Sequence, residues 1–130
     1  MREIYSKEEL RSTPILSLAF VGDGVHTLFV RTGAFAPKAK NNDLHALSSA
    51  YCCAQTQAKA AKKMEPLLRE DEAFIFRKGK NANVGSVPKN TTLMNYKLAT
   101  AFEAVVGYLY LAGEDDRMKE LIEESYKGIE

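Results

Sequence analysis

A chain of 130 residues has room for one hydrophobic core and little else, and its formal net charge of +1 neither selects nor excludes a nucleic-acid partner. The apolar fraction of 45% is that of an ordinary globular protein, and no apolar run reaches the roughly 20 residues that span a bilayer, so no membrane segment is expected. The charged start Arg2-Glu3-Ile4-Tyr5-Ser6-Lys7-Glu8-Glu9 predicts no secretory signal, and the adjacent Cys52 and Cys53 suit neither a disulfide staple nor a C-x-x-C zinc pair. The expectation is a cytoplasmic protein whose two cysteines are reduced, small core hydrophobes.

In chain order, the first strong helix signal starts at Ser12-Thr13-Pro14, a hydroxyl cap followed by a proline where no backbone donor is needed. It runs to about Arg31, and Thr32-Gly33 ends it. Asn41-Asn42-Asp43 predicts a second helix that continues through Leu44, Leu47, Tyr51, Ala54, Ala58 and Ala61 at three- and four-residue spacing. Pro66 marks a break and restart. A shorter helix is expected from Asp71 to Lys78, then a breaker-rich loop from Gly79 to Asn90. Thr91 or Thr92 caps a long apolar helix ending at Gly113, and Asp115 to Lys127 supplies a last amphipathic one. Strand-like alternation is nowhere sustained, which predicts an all-α single domain over residues 1–130.

Two of these apolar helices carry a lone carboxylate. Asp23 stands between Gly22 and Gly24 in Phe20-Val21-Gly22-Asp23-Gly24-Val25, and Glu103 stands in Ala101-Phe102-Glu103-Ala104-Val105-Val106-Gly107. An ionised carboxylate in such surroundings costs roughly several kcal/mol unless a cation or hydrogen bonds compensate it. No Lys or Arg lies one turn from either acid. Two readings stay open on residue types alone. In one, the acids face each other and share a divalent cation, with all-oxygen ligation of the kind magnesium prefers. In the other, Asp23 marks a helix end and Glu103 pairs with a distant Arg. The glycines favour close approach of backbone or substrate, since each mid-helix glycine costs about 1 kcal/mol relative to alanine.

Charge is unevenly placed. Arg77, Lys78, Lys80, Lys89 and Lys97 have no acid between them, whereas Glu114 to Glu130 is mostly acidic. The first segment is a candidate phosphate contact and the second a candidate solvated helix face. The basic loop carries no aromatic platform, which favours a duplex over a single strand.

The motifs carry a resemblance. Leu18-Ala19-Phe20-Val21-Gly22-Asp23-Gly24-Val25 resembles the signature helix of the ribonuclease III catalytic domain, and Ala101 to Leu111 resembles its second acidic motif. Asn42-Asp43-Leu44-His45, Arg77-Lys78-Gly79-Lys80-Asn81-Ala82 and Pro88-Lys89-Asn90-Thr91 follow in the same order. The set is similar to the Mini-III ribonucleases, compact members without a double-stranded-RNA-binding domain. The resemblance implies a homodimeric helical bundle and a magnesium-dependent endoribonuclease that cuts double-stranded RNA to 5′-phosphate and 3′-hydroxyl ends. Its implied role is maturing the ends of large-subunit ribosomal RNA, with no membrane partner.

Asp23 and Glu103 take the catalytic and metal-binding positions. Arg77, Lys78, Lys80, Asn81, Lys89, Asn90, His45 and Lys97 are the implied RNA contacts. The two further carboxylates of full-length ribonucleases III correspond here to Ala19 and Thr100. His26 reads as a packed helix histidine or a group behind the metal. Tyr108, Tyr110 and Phe102 read as core or dimer packing. A non-catalytic duplex-RNA-binding protein of the same fold is the alternative, and a helical protein-interaction module is a third reading.

Overall fold

The computed structural model describes residues 2–83 and 85–129; Met1, Glu130 and Val84 of the basic loop lie outside the described residues. Seven α-helices are present among them, and no strand. They are α1 (Lys7–Arg11), α2 (Ile15–Ala34), α3 (Asn41–Cys52), α4 (Ala54–Met64), α5 (Glu70–Lys80), α6 (Leu93–Leu111) and α7 (Asp115–Tyr126). A 3-10 turn over Glu65–Leu67 carries Pro66 between α4 and α5.

Helix α6 is the axis of the domain. It is apolar on nearly every side, as a helix surrounded by others must be, and from Leu98 to Leu109 every residue but Glu103 is buried. Helices α2, α4, α5 and α7 pack around it. Two glycines let α2 and α6 cross with their backbones touching. A Cβ on Gly22 would lie 1.7 Å from the Glu103 carbonyl oxygen, and one on Gly107 would lie 2.0 Å from that of Leu18. Glycine is required at both because backbone, not a movable side chain, occupies the space. Gly79 does the same for α5, where a Cβ would fall 2.8 Å from Ala101 Cα. Gly24 is different: among the described residues, nothing beyond its own stretch of helix lies within 4 Å of such an atom.

The caps follow the sequence in part. Thr92 accepts from Asn95 N at 3.1 Å and so starts α6, and Gly113 follows its end at φ +77. Ser12 and Thr13 do not cap α2. Their hydroxyls donate to Glu9 O at 3.1 and 3.0 Å and close the five-residue α1, a helix too short to show periodicity, while Pro14 sits at the cap position of α2. The helix expected from Asn41 to Ala61 is two helices, because Cys53 is extended at ψ 153 and begins α4. The cysteines correct the expectation of core packing: Cys53 is exposed and Cys52 half-buried at this break, both free.

Helix α2 is, by length and composition alone, long and apolar enough to cross a membrane, which the sequence reading did not anticipate. Its Leu18, Ala19, Gly22 and His26 face is core. Around the N-terminus, Lys7 Nζ bridges Asp71 at 3.1 Å and Glu114 at 2.8 Å, and Arg2 pairs with Asp115 while covering the Tyr110 ring at 4.0 Å.

Candidate active site

The Gly22/Gly107 crossing fixes where the two lone acids lie. Asp23 follows Gly22, and Glu103 is the residue whose own carbonyl Gly22 abuts, so the close approach of the backbones brings both carboxyls to one spot. Asp23 is exposed and Glu103 is largely covered. Burial, and then the adjacent Asp23 carboxyl, push the Glu103 pKa up to about 9, with a hydrogen bond from Gln57 acting the other way. Two acids forced together without a neutralising partner behave in this way.

The readings left open by the sequence separate here. Helix α2 runs unbroken through Asp23 to Ala34, so Asp23 marks no helix end. No ion pair among the described residues involves Asp23 or Glu103. The buried glutamate that does pair with an arginine is Glu72, which accepts from Arg117 at 2.8 and 2.9 Å and from Arg69 N at 2.8 Å. A cluster of three or more His, Cys, Asp or Glu side chains able to hold a metal is absent among the described residues. The donor set is therefore two carboxylates, hard oxygen ligands that fit a hard divalent cation keeping most of its waters. Ala19 and Thr100 are buried, and the Thr100 hydroxyl is spent on Tyr96 O at 2.9 Å.

Among the predicted RNA contacts, Arg77, Asn81, Lys89 and Asn90 are exposed, and Lys80 and Lys97 are half-buried. Gly79 seats the Arg77–Lys80 end of α5, which Asn81 follows, against Ala101, two residues from Glu103. Lys97 precedes Glu103 by six positions on α6, about 9 Å along the axis. Lys78 is already engaged: its Nζ donates to Arg11 O at 3.0 Å and lies over the Phe74 ring. His45 is exposed on α3 and lines a groove with Arg31, Phe35 and Asn41.

His26 is fully buried, and burial drives its pKa down to about 4. Its ring meets the Phe102 edge at 5.1 Å and stacks on Tyr126 at 5.6 Å, so the packed-histidine expectation holds. Tyr108 and Phe102 are core residues. Sequence reasoning passed over Gln57 and Tyr126. Gln57 is 3% exposed, on the α4 face that also buries Ala58 and Ala61. Asp23 and Glu103 stood out because each interrupts a continuous apolar run, whereas Gln57 stands among Gln55, Thr56 and Lys59, where one more polar residue carries no such signal.

Comparison with known proteins bears on the family and the fold. Residues 16–114 match the ribonuclease III domain family. A Mini-ribonuclease 3 from Thermoanaerobacter sp. is 42% identical over 98% of this chain and 91% of its own length. One from Brevibacillus brevis is 38% identical over 95% and 96%. A crystal structure of a Fusobacterium nucleatum protein superposes with a TM-score of 0.84 at 31% identity, covering 92% of this chain and 97% of that one. The chain belongs to the ribonuclease III domain family, the double-strand-specific endoribonucleases, in its Mini-ribonuclease 3 branch.

Proposed function

We propose that this endoribonuclease hydrolyses double-stranded precursor RNA of the large ribosomal subunit, in the cytoplasm, with magnesium held by Asp23 and Glu103. The observation that carries the reading is the pair itself. Two carboxyls from separate core helices meet with no ion pair to either among the described residues, and burial, then the Asp23 carboxyl, push Glu103 up to about 9. A core that merely needed polar groups would leave them paired, as it does Glu72 with Arg117.

Bound magnesium supplies Lewis acidity toward a phosphoryl oxygen and a water of lowered pKa. The chain's own groups do the rest. Asp23, exposed, faces the substrate side, and Glu103 behind it is fixed by the α2–α6 crossing. Arg77, Lys80, Asn81, Lys89, Asn90 and Lys97 hold the phosphate backbone, with His45 as a further contact, and Lys78 can join only by leaving Arg11 O. No nucleophilic side chain is required, and neutral, buried His26 is not a base. The products are a 5′-phosphate and a 3′-hydroxyl.

The active species on this reading is a homodimer. Leu16, Phe20 and Leu28 form an exposed apolar stripe on α2 at multiples of four residues, with open space over Gly24 between them. A second copy related by a twofold axis covers that stripe and places two sites for the two strands.

The test is a long RNA duplex incubated with and without magnesium, beside the Asp23→Asn variant. Magnesium-dependent cutting that disappears in the variant is the expected result. Cutting that survives the substitution would put the chemistry on another carboxylate, and binding without turnover by the unaltered protein would make it a duplex-binding protein.

A further inference from the structure

The groove that His45 lines, between the end of α2 and the start of α3, encloses about 260 Å3. Arg31 reaches it from α2. Asn41, His45 and Ser48 reach it from α3, at the four- and three-residue spacing that puts them on one face of a helix. Arg31 is eight residues beyond Asp23 on α2, about 12 Å along the axis, so the groove stands apart from the two acids.

Three observations make it a place for an anion. Arg31 and His45 are exposed, and neither enters an ion pair among the described residues. Helix α3, twelve residues long, opens at the groove with Lys40 at its N-cap and no side-chain cap. The amides of Asn41, Asn42 and Asp43 therefore have no partner among the described residues, and such donors favour negative charge. The third observation is independent of charge. Ser48 is 7% exposed, and its hydroxyl is enclosed without a hydrogen-bond partner among the described residues. Cys52, one turn on, gives its thiol proton to Thr27 at 3.9 Å instead. A buried hydroxyl left unpaired is a cost to the fold, and alanine would remove it with a gain in helix propensity. A ligand with acceptor oxygens gives that hydroxyl a use.

The donors also select the ligand. No Asp or Glu lines the groove among the described residues, and Asp43, two positions from both Asn41 and His45, belongs to another face of α3. A guanidinium fork, a hydroxyl and several amides match the oxygens of a phosphate group.

We propose that this groove is a phosphate subsite in which Arg31, Ser48 and the first turn of α3 hold an RNA phosphate other than the scissile one, with His45 beside it. The inference rests on the duplex-RNA reading above and deepens it, adding Arg31, Asn41 and Ser48 to the surface that holds substrate. A backbone phosphodiester and a 5′-phosphate end present the same chemistry to it.

Two measurements without divalent cation test it. In the first, inorganic phosphate replaces chloride at constant pH and ionic strength while the ring signals of His45 are followed by NMR, with buried His26 as the reference. The His45 signals should move along a saturable curve, and Arg31→Gln and Ser48→Ala should each weaken that binding at least about threefold. Ser48→Ala should do so with no fall in denaturant midpoint, because the fold makes no use of the hydroxyl. A His45 that does not respond, a response that both variants keep, or a destabilised Ser48→Ala overturns the inference. In the second, the salt dependence of binding to a blunt RNA duplex is compared between wild type and Arg31→Gln. The log–log slope should become shallower by about one, the mark of one lost phosphate contact, and an unchanged slope overturns the subsite. A change with 5′-hydroxyl and 5′-phosphate ends alike puts a backbone phosphodiester in the groove; a change with phosphorylated ends alone puts a strand end there. A wild type that binds no duplex fells the substrate reading, and the phosphate titration then still decides whether the groove takes an anion.

Discussion

Glu72 and Glu103 are both core glutamates, and their surroundings drive them in opposite directions. Burial raises the Glu72 pKa, but Arg117 and the Arg69 amide outweigh it, and the net shift is downward. Glu103 has burial and Asp23 acting together, and only Gln57 opposes them. Proton linkage makes the difference measurable. Glu103 has a folded pKa of about 9 against 4.5 unfolded, so its stabilisation is fully present below pH 4.5 and lost as pH rises toward 9. His26 runs the other way: about 4 folded against 6.5 unfolded, its contribution is present above pH 6.5 and lost as pH falls toward 4. The two oppose each other between pH 4.5 and 6.5, and Glu103 acts alone from 6.5 to 9. Denaturant midpoints taken without divalent cation should therefore be nearly flat over the lower window and fall over the upper one. Glu103→Gln should abolish the upper fall, and a decline of equal steepness in that variant would assign it to another group. If Glu103 holds magnesium as proposed, the ion should stabilise more at the alkaline end, where that carboxyl is ionised.

At the scale of elements, what was legible depended on how far apart the determinants lie. Thr92, Gly113 and Pro66 act on their own neighbourhoods, and each does in the fold what local chemistry dictates. The stop at Cys53 and the five-residue α1 are set by packing, which a spacing pattern does not encode. Asp23 and Glu103 were legible as interruptions of apolar runs, but that they meet depends on Gly22 and Gly107, far apart in sequence. The tie between α5 and α7 is another such tertiary fact. Arg117 on α7 reaches Glu72 and also donates to Leu67 O at 2.8 Å, fastening both helices across the 3-10 turn. Arg117→Met keeps most of the side-chain volume and leaves Glu72, 0% exposed, without its counter-ion. The expected loss of unfolding free energy is about 3–5 kcal/mol, as for a broken buried pair. The double variant Arg117→Met/Glu72→Gln should recover a large part of it. A loss in the single variant below about 1 kcal/mol, the scale of an exposed pair, would show that the pair is solvent-screened.

The molecule as a whole is asymmetric in how it treats its two apolar helices. Helix α6 is sheathed by its neighbours, whereas α2 gives one face to the core and turns Leu16, Phe20 and Leu28 outward at 47%, 81% and 66% exposure. Single exposed leucines need no explanation, but a stripe with an 81% exposed phenylalanine at its middle does. Covering a Phe side chain contributes roughly 1.5–3 kcal/mol, and a twofold axis counts it twice. In the proposed homodimer, Gly24 beside it would admit the partner's backbone, and among the described residues nothing beyond its own stretch of helix approaches that position. Phe20→Asp puts like charges across such an axis and should convert the protein from dimer to monomer at micromolar concentration in sedimentation velocity. Asp23 and Glu103 are joined within one chain, so Mn2+ binding should survive in the monomer. Duplex cleavage should fall at least about tenfold, because rigid docking of two sites on the two strands is lost. A variant that stays dimeric would move the axis off Phe20, a wild type that sediments as a monomer would remove the homodimer, and a monomer that cuts duplex at the full rate would show that one site works alone.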